Sequence, residues 1–209
     1  MKIICIGRNY AEHARELNNP VPSNPVVFMK PSTALLANEK PFYYPDFTKD
    51  LHHELEIVLK ISKNGKAVAP AFADGYFEEI GLGIDFTARD VQEQLKKKGH
   101  PWELAKAFDH SAVVGDFVPR SSVSAADGNI SFSLRKNGTL VQRGDTRDML
   151  FGFRDLVVYI SKYFKLMKGD LIFTGTPAGV GPVLPGDVLE GYVDLVGGEQ
   201  RRLLYCEVK

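Results

Sequence analysis

Two glutamates, Glu54 and Glu56, stand two positions apart in the decapeptide HHELEIVLKI, residues 52–61. Apolar side chains alternate with them, which gives the segment the period of two that is typical of a β-strand. Alternate residues of a strand point to the same face. The sequence therefore predicts a strand that carries both carboxylates on one face and a row of apolar side chains on the other.

Carboxylates placed in this way lie about 6–7 Å apart, and they repel each other unless a positive charge lies close by. A divalent cation would supply that charge. Carboxylate oxygens favour Mg²⁺ or Mn²⁺, with Ca²⁺ as a weaker alternative, and a third carboxylate ligand would come from elsewhere in the chain. A competing interpretation needs no metal, because alternating glutamates are also common on the exposed face of antiparallel sheets.

A histidine and a glutamate form a second pair, His13 and Glu16, within AEHAREL, residues 11–17. Residues three positions apart share one face of a helix. There the glutamate can orient the imidazole and raise its basicity, as a general base requires. An ordinary surface pair would have the same spacing. The next segment, residues 18–25, contains three prolines and predicts a turn-rich connection that lets the His13 segment open and close.

Glycines are dense in the loop TGTPAGVGP, residues 174–182. The loop is not a phosphate-binding P-loop, because the Gly-Lys-Ser/Thr ending is missing and no helix follows. Its glycines would let backbone N–H groups approach a ligand carboxylate, although a plain turn fits the sequence equally well. Lys106 is a further candidate, since it stands among apolar and small residues in PWELAKAFD.

The elements that must position these side chains are mostly strands. Strands are predicted over residues 2–6, 26–30 and 81–86, in a hairpin around Asn137-Gly138, and in a series of short runs after residue 168. Asp85 lies at the end of the strand GLGIDF. The sequence therefore predicts an α+β fold in which strands dominate.

Besides the short helix at residues 11–17, a helix is predicted over ADGYFEEI, residues 73–80, and two longer helices accompany the strands. One covers TARDVQEQLKKKG, with Thr87 or a neighbour as its cap and Gly99 as its stop. The lysines at 96–98 are expected to be a solvated helix end. The other is an amphipathic helix over residues 148–164.

The composition limits the class of protein. The 209 residues are 44% hydrophobic and 25% charged, which fits one globular domain over residues 1–209. The 26 basic and 26 acidic residues cancel, so the basic surplus typical of nucleic-acid binding is absent. Cys5 and Cys206 fit no metal-binding spacing and are expected to be reduced core thiols.

The N-terminus, MKIICIGRNY, is too short in apolar residues for a signal-peptide core. No apolar run approaches the ~20 residues that span a membrane. These features predict a cytoplasmic protein without a membrane partner.

Six blocks between residues 7 and 182 carry a joint resemblance to a known family. In chain order they are GRNYAEHARE, FMKPST, HHELEIVLKI, DFTARDVQEQLKKKG, PWELAKAFD and TGTPAGVGP. Together they resemble the fumarylacetoacetate hydrolase family, and most closely its short single-domain members. The resemblance implies the mixed β-sandwich roll of the family's C-terminal domain, a small 2-oxo acid substrate and a homodimer.

The resemblance also implies roles for individual residues. The implied ligands of Mg²⁺ or Mn²⁺ are Glu54, Glu56 and Asp85. The implied catalytic residues are Lys106, near metal and substrate, and the water-activating dyad of His13 and Glu16. The implied substrate-binding residues are Arg8, Gln92 and Thr176.

One departure from the family pattern lies in residues 109–118. Many members continue after Lys-x-Phe with a segment such as Asp-Thr or Thr-Ala, followed by a small residue and proline. Here Asp109, His110 and Ser111 follow, and the next proline is Pro119. We expect the wall of the substrate pocket to differ there.

Taken together, these features predict a metal-dependent enzyme that breaks a C–C bond of 2,4-dioxo acids. A 2-oxo acid can chelate a divalent cation, which then stabilises an enolate at the 2-oxo oxygen. The leading prediction is an acylpyruvate hydrolase with oxaloacetate decarboxylase activity, in which His13 activates water and Lys106 neutralises charge. The alternatives are an isomerase or tautomerase of oxaloacetate or of a 2-hydroxymuconate-type compound, and a non-catalytic metal- or ligand-binding module.

Overall fold

Strands are the main regular element in the computed structural model, which describes residues 1–16, 20–123 and 128–209. In chain order they are β1 (Ile3–Gly7), β2 (Val26–Lys30), β3 (Leu35–Ala37), β4 (Leu51–His53), β5 (Leu55–Ile61), β6 (Phe77–Asp85), β7 (Thr87–Ala88), β8 (Ala112–Pro119), β9 (Ser131–Lys136), β10 (Thr139–Asp145), β11 (Leu171–Phe173), β12 (Gly181–Pro182), β13 (Val188–Asp194) and β14 (Gln200–Glu207). The α-helices are α1 (Ala11–Glu16), α2 (Arg89–Lys98), α3 (Glu103–Lys106) and α4 (Phe153–Tyr163). The predicted α+β class, with strands dominating, is confirmed.

The strands of the described residues form three sheets. The largest has the order β2-β1-β11-β5-β6-β8-β3. It is mixed, because β1 runs parallel to β11 and β3 parallel to β8, whereas its other pairs are antiparallel. An antiparallel sheet of order β10-β9-β13-β14 and a small sheet of order β12-β4-β7 complete the architecture.

The main core lies between the large sheet and the four-stranded sheet. Leu55 and Ile57 point from β5 into this core, and Leu204 of β14 meets them from the other side. Gly115 of β8 permits the close approach, because a Cβ there would collide with the carbonyl of Leu203 in β14. The apolar face predicted for the glutamate strand is therefore a core face.

Several local predictions are confirmed. The hairpin turn has Asn137 at φ 52° and Gly138 at φ 78°, the left-handed pair that a type I′ turn requires. Gly99 ends α2 in the left-handed conformation, at φ 66°. Cys5 and Cys206 are buried and free. No helix in the described part of the chain combines the length and apolar character needed to cross a bilayer.

Other predicted boundaries are wrong. The helix predicted over residues 148–164 begins only at Phe153, because residues 146–148 form a 3₁₀ turn and Asp155 accepts the Gly152 N–H at the helix start. The strand predicted over residues 81–86 begins earlier, at Phe77, so the helix predicted over residues 73–80 is wrong: a 3₁₀ turn ends at Tyr76 and the strand follows it directly. Of the turn-rich segment predicted over residues 18–25, residues 18 and 19 lie outside the described residues.

Candidate metal centre

A break in the predicted glutamate strand creates the site. The decapeptide is not one strand, because β4 ends at His53 and β5 begins at Leu55. β4 pairs with β7 and β12 in the small sheet, whereas β5 belongs to the large sheet. Glu54 therefore stands where the chain changes sheets, and its carbonyl accepts the N–H of Asp85 at 2.9 Å. The predicted continuous strand is wrong at this residue.

The carboxylates of Glu54, Glu56 and Asp85 converge at this junction. Each offers an oxygen, and these oxygens lie within 4.8 Å of one another. The side chains are only 5%, 2% and 1% exposed. The shared face predicted for Glu54 and Glu56 is confirmed, but that face is buried, which removes the interpretation as an exposed polar strand.

Lys106 of α3 provides one of the positive charges that offset the carboxylates. Its Nζ lies 2.8 Å from Glu54 Oε2, 2.8 Å from Asp85 Oδ2 and 2.6 Å from Thr87 Oγ1. Burial would lower the pKa of Lys106, but Asp85 and Glu54 outweigh that effect and raise it. The ammonium stays charged, and each of its three N–H groups already has an acceptor. Thr87 is thus part of the site, and its neighbour Ala88 is the N-cap residue of α2.

Lys30, at the end of β2, is a second buried cation that sequence reasoning missed. Its Nζ lies 2.8 Å from Asp85 Oδ1 and 3.0 Å from Ser111 Oγ. It also donates to the carbonyls of Ser111 and Lys106. The sequence does show a lysine at the end of an apolar strand, which is an unusual position for a charged residue. It does not show the partners of that lysine, because they are distant in sequence. Asp85 is therefore held between two lysines that come from different elements.

One face of α2 is directed towards the carboxylates. Arg89, Gln92 and Lys96 share it at spacings of three and four residues, and all three line the cavity described below. Arg89 forms an ion pair with Glu54 Oε1 at 2.6 Å and donates to Gln92 Oε1 at 2.7 Å. Arg89 was missed, and the prediction of a solvated helix end is wrong for Lys96. The helical spacing was a signal that could have identified both.

The three carboxylates differ in how their charge is compensated. Burial would raise the pKa of Glu54, but Lys106 and Arg89 outweigh it and hold that pKa well below its ordinary value. Burial together with the charges of Asp85 and Glu54 raises the pKa of Glu56 well above its ordinary value. Among the described residues no basic side chain forms an ion pair with Glu56. The cluster therefore lacks a positive charge beside this one carboxylate.

The donor set fits a hard divalent cation. Three buried carboxylates offer oxygen and no nitrogen or sulfur, which is the chemistry that Mg²⁺ and Mn²⁺ select. A cation beside Glu56 would also compensate the one acid of the cluster that has no basic partner in the described chain. The residues that would hold it are the predicted three, Glu54, Glu56 and Asp85.

The predicted dyad of His13 and Glu16 is formed on α1. His13 Nδ1 lies 3.3 Å from Glu16 Oε2. The Glu16 carboxylate in turn accepts the Gly179 N–H, at 3.1 and 3.3 Å to its two oxygens. Burial lowers the pKa of His13, and the charges of Glu54 and Glu16 oppose this only in part. The imidazole is therefore neutral at pH 7 and can act as a base.

The glycine-rich loop does bring N–H groups to carboxylates, but to those of the protein. Gly175 donates to Glu56 Oε2 at 2.6 Å, as Gly179 does to Glu16. In the same loop Thr176 accepts the side-chain amide of Gln142 at 2.8 Å. Gln142, on β10, was missed, because nothing in the sequence links this hairpin residue to the loop.

Eight of the nine predicted site residues line one cavity of about 30 Å³. They are Arg8, His13, Glu54, Glu56, Asp85, Gln92, Lys106 and Thr176. The ninth, Glu16, contacts His13. This volume holds only one or two water molecules. A substrate can enter only if a wall moves, and α1 remains the predicted lid.

Two further cations line the cavity beside an indole. Arg8 Cζ lies 5.9 Å and Lys96 Nζ 5.6 Å from the ring centroid of Trp102. No residue of the segment 109–118 lines the cavity. The change that we expect in the pocket wall at residues 109–118 is therefore not seen. Ser111 does not line the cavity, and it contacts the site through the hydrogen bond that it accepts from Lys30.

Comparisons with known proteins identify a matching family and similar enzymes. The sequence model for the fumarylacetoacetate (FAA) hydrolase C-terminal family matches residues 2–202. The chain is 45% identical to the mitochondrial oxaloacetate tautomerase FAHD1 of Bos taurus, over 90% of this chain and 85% of that protein. It is 39% identical to the mitochondrial oxaloacetate decarboxylase of Dictyostelium discoideum, over 90% of this chain and 87% of that protein.

A solved structure is similar over the whole chain. It is the fumarylpyruvate hydrolase of Pseudomonas aeruginosa in complex with Mn²⁺ and pyruvate. The TM-score is 0.87 and the identity 36%, and the match covers 100% of this chain and 89% of the other. The roll predicted for the fold is thus the architecture that these enzymes share.

Proposed function

The chain belongs to the fumarylacetoacetate hydrolase family, and on that premise we propose that it is a divalent-cation-dependent tautomerase of oxaloacetate. In this reaction the C3–H bond breaks, a C2=C3 double bond forms and the 2-oxo oxygen gains the proton. One observation carries the proposal: a buried, neutral His13 lines the same small cavity as the three carboxylates. The 45% identity to an oxaloacetate tautomerase supports the choice of substrate.

Glu54, Glu56 and Asp85 would hold Mg²⁺ or Mn²⁺. A related hydrolase binds Mn²⁺ together with pyruvate, and the donor set here is all oxygen. When bound, the cation would act as a Lewis acid that polarises the 2-oxo group and stabilises negative charge on its oxygen. Lys106 and Arg89 fix the orientation of Glu54, and Lys106 and Lys30 fix that of Asp85.

His13 is the proposed base. Because a carboxylate can only accept a hydrogen bond, the contact with Glu16 places the imidazole proton on Nδ1 and leaves Nε2 free to take a proton from C3. The same nitrogen can return the proton to the oxygen. Gly179 holds the Glu16 carboxylate in place, which limits rotation of the ring. General-base catalysis of this kind contributes about 10²- to 10⁴-fold.

The remaining cavity residues are proposed to interact with the negative charges of the substrate. Lys106 carries a permanent positive charge close to where the enolate forms, and it acts at a distance because its three N–H groups are already used. Arg8, Gln92 and Thr176 are the proposed partners of the substrate carboxylates, since all three line the cavity.

Hydrolysis of an acylpyruvate, the leading prediction from the sequence, becomes the second candidate. The His13–Glu16 pair supports it, because the same Nε2 can take a proton from water that attacks the C4 carbonyl. The likeness to a fumarylpyruvate hydrolase points the same way. Decarboxylation of oxaloacetate needs no water, and the Dictyostelium relative supports that activity. A homodimer and a cytoplasmic location remain predictions.

A product-resolved assay tests the proposal. Purified protein with Mg²⁺ is given enol-oxaloacetate, keto-oxaloacetate and acetylpyruvate in separate reactions. The enol absorbance, released pyruvate and CO₂, and released acetate are then followed. We expect the interconversion of enol and keto forms to be the fastest reaction. It should disappear with EDTA and in Glu56→Gln, and it should persist in Glu79→Gln, which changes a half-buried glutamate of β6 that does not line the cavity.

Each other outcome selects a different function. Acetate release without enhanced tautomerisation would establish the hydrolase, and release of pyruvate and CO₂ from oxaloacetate would establish the decarboxylase. Conversion of none of the three substrates by folded, Mg²⁺-loaded protein would refute the enzyme proposal and leave a binding module.

A further inference from the structure

Gln142 is a buried residue of β10 whose side chain contacts the glycine-rich loop but does not line the cavity. Its Oε1 accepts the Leu55 N–H at 3.0 Å and lies 3.0 Å from His53 Nδ1. Its Nε2 donates to Thr176 Oγ1 at 2.8 Å and to the Pro177 carbonyl at 3.1 Å. One amide thus connects the start of the glutamate strand to the loop that carries Thr176.

The backbone fixes which end of this amide faces Thr176. The Leu55 N–H can only donate and the Pro177 carbonyl can only accept, so the oxygen must face Leu55 and the nitrogen must face Pro177. His53 agrees with this orientation. A proton on its Nδ1 can be donated to the amide oxygen, which lies 3.0 Å away. In the hydrogen bond between the two side chains, Gln142 must therefore be the donor and the Thr176 hydroxyl the acceptor.

Accepting this bond determines what the Thr176 hydroxyl can do. Gln142 Nε2 can only donate, so the hydroxyl proton cannot be shared with Gln142 and is left for another acceptor. Within the described residues, the acceptor in reach is the Pro177 carbonyl at 3.5 Å, which is at the long limit for a hydrogen bond. Thr176 lines the cavity beside His13 and the carboxylates. The hydroxyl is thus free to donate to an anionic group in the cavity.

The local backbone is shaped to deliver Gln142 to this position. β10 pairs with β9, and the register shifts between Leu140 and Gln142, so Val141 is an extra residue. A bulge of this kind turns the following side chain to a new direction. Leu140 is exposed, whereas Gln142 is 1% exposed. The hairpin thereby places one polar side chain into the interior beside the loop.

We propose that Gln142 is a positioning residue, which sets the polarity of the Thr176 hydroxyl so that it donates to a carboxylate of the substrate. The inference rests on the proposed function, in which Thr176 binds an anionic 2-oxo acid. Gln142 itself touches no reacting atom. Its effect should therefore fall on substrate binding and pass through Thr176.

Gln142→Glu is the sharpest variant, because it keeps the size and the oxygen for Leu55 but replaces the donor with an acceptor. The Thr176 hydroxyl would then donate to the introduced carboxylate and turn away from the cavity. With Mg²⁺, we expect KM for oxaloacetate and the dissociation constant of oxalate to rise on the order of 10- to 100-fold, as for the loss of a hydrogen bond to a charged group. We expect kcat to change less than about 3-fold, on the same scale. Gln142→Met is the second variant if the buried carboxylate prevents folding.

A double-mutant cycle separates positioning from a structural effect. Thr176→Val should raise the dissociation constant of oxalate by a similar factor. Adding Gln142→Glu to Thr176→Val should then change that dissociation constant by less than about 3-fold. Thr176→Ser, which retains a hydroxyl, should recover most of the oxalate affinity that Thr176→Val loses. Thr174→Val is the matched control, because it removes a buried hydroxyl of the same loop that donates to the Ile57 carbonyl and does not line the cavity. It should leave oxalate binding unchanged.

Equal weakening by Gln142→Glu in the wild-type and Thr176→Val backgrounds would overturn the inference, as would a loss confined to kcat. Oxalate affinity is measured by calorimetry and does not depend on turnover, so it tests the positioning role separately from the proposed reaction. If wild-type protein fails to convert oxaloacetate but the cycle on oxalate shows the expected coupling, the proposed function fails and the positioning role stands.

Discussion

Neutralising Glu56 should affect the protein very differently from neutralising Glu54, although both belong to the same carboxylate cluster. Glu54 forms ion pairs with Lys106 and Arg89. Glu56 accepts one backbone N–H, from Gly175, and in the described chain has no basic partner. We therefore predict that Glu56→Gln changes the stability of the metal-free protein little, whereas Glu54→Gln lowers it strongly.

The contacts give the expected sizes. Breaking a buried pair by removing one partner costs about 3–5 kcal/mol, which we assign to Glu54→Gln. A glutamine at 56 can still accept the Gly175 N–H, and the change from a charged to a neutral acceptor costs about 1 kcal/mol. Removal of the repulsion from Glu54 and Asp85 offsets that loss. We expect the free energy of unfolding of Glu56→Gln to lie within about 1 kcal/mol of wild type, the value of a single hydrogen bond.

Thermal unfolding with EDTA and with Mg²⁺ measures both effects. In a chain of this size 1 kcal/mol shifts Tm by about 2–4 °C, so Glu54→Gln should unfold at least about 6 °C earlier in EDTA. Mg²⁺ at about 100 times its Kd should stabilise wild type by about 2.7 kcal/mol. Both variants should lose most of that gain, because each lacks one ligand.

The pH dependence supplies a further check on the same residue. The pKa of Glu56 is raised in the folded protein, so the folded state holds this proton more tightly than the unfolded state. Its contribution to the stability of metal-free protein is present at low pH and is lost as pH rises through the raised pKa. Glu56→Gln should lack this loss. Equal destabilisation of metal-free protein by both substitutions would refute the reasoning.

Three other changes test the site. His13→Asn should slow tautomerisation by about 10²- to 10⁴-fold and decarboxylation by less; an equal loss of both rates would argue against a role as base. Because burial lowers the pKa of His13, the acid limb of kcat/KM should have an apparent pKa below the ordinary histidine value of about 6.5, and an apparent pKa above that value would contradict this. Lys96→Met should raise KM for oxaloacetate about 5-fold, near 1 kcal/mol, and leave acetylpyruvate, which lacks the second carboxylate, nearly unchanged. Equal changes for both substrates would exclude recognition of that carboxylate.

The sequence predicts the parts of the site that depend on local spacing. Alternation alone places Glu54 and Glu56 on one face, and a spacing of three brings His13 to Glu16, as the structure has them. Asp85 came from the family resemblance and not from periodicity. Alternation could not reveal that the face is buried, because burial depends on which elements cover it.

Other features depend on contacts between distant residues. Lys30 and Asp85 are 55 positions apart in sequence, and Gln142 and Thr176 are 34 apart. Neither pair leaves a periodic signal. The break at Glu54 was also invisible, since an alternating pattern does not record that the chain changes from one sheet to another.

The uneven compensation of the three carboxylates explains how the site can be both stable and ready to bind a cation. Burial favours protonation of every carboxylate, and a protonated carboxylate is a poor ligand. Lys106 and Arg89 hold the pKa of Glu54 well below its ordinary value, and Lys30 and Lys106 form ion pairs with Asp85. Glu56 remains the acid that only an added positive charge can compensate. Full compensation by basic residues would remove the drive for binding, whereas none would leave three protonated acids. The arrangement of the elements permits the intermediate case, because Arg89 of α2 and Lys106 of α3 reach Glu54 and Lys30 of β2 reaches Asp85, whereas none of the three forms an ion pair with Glu56.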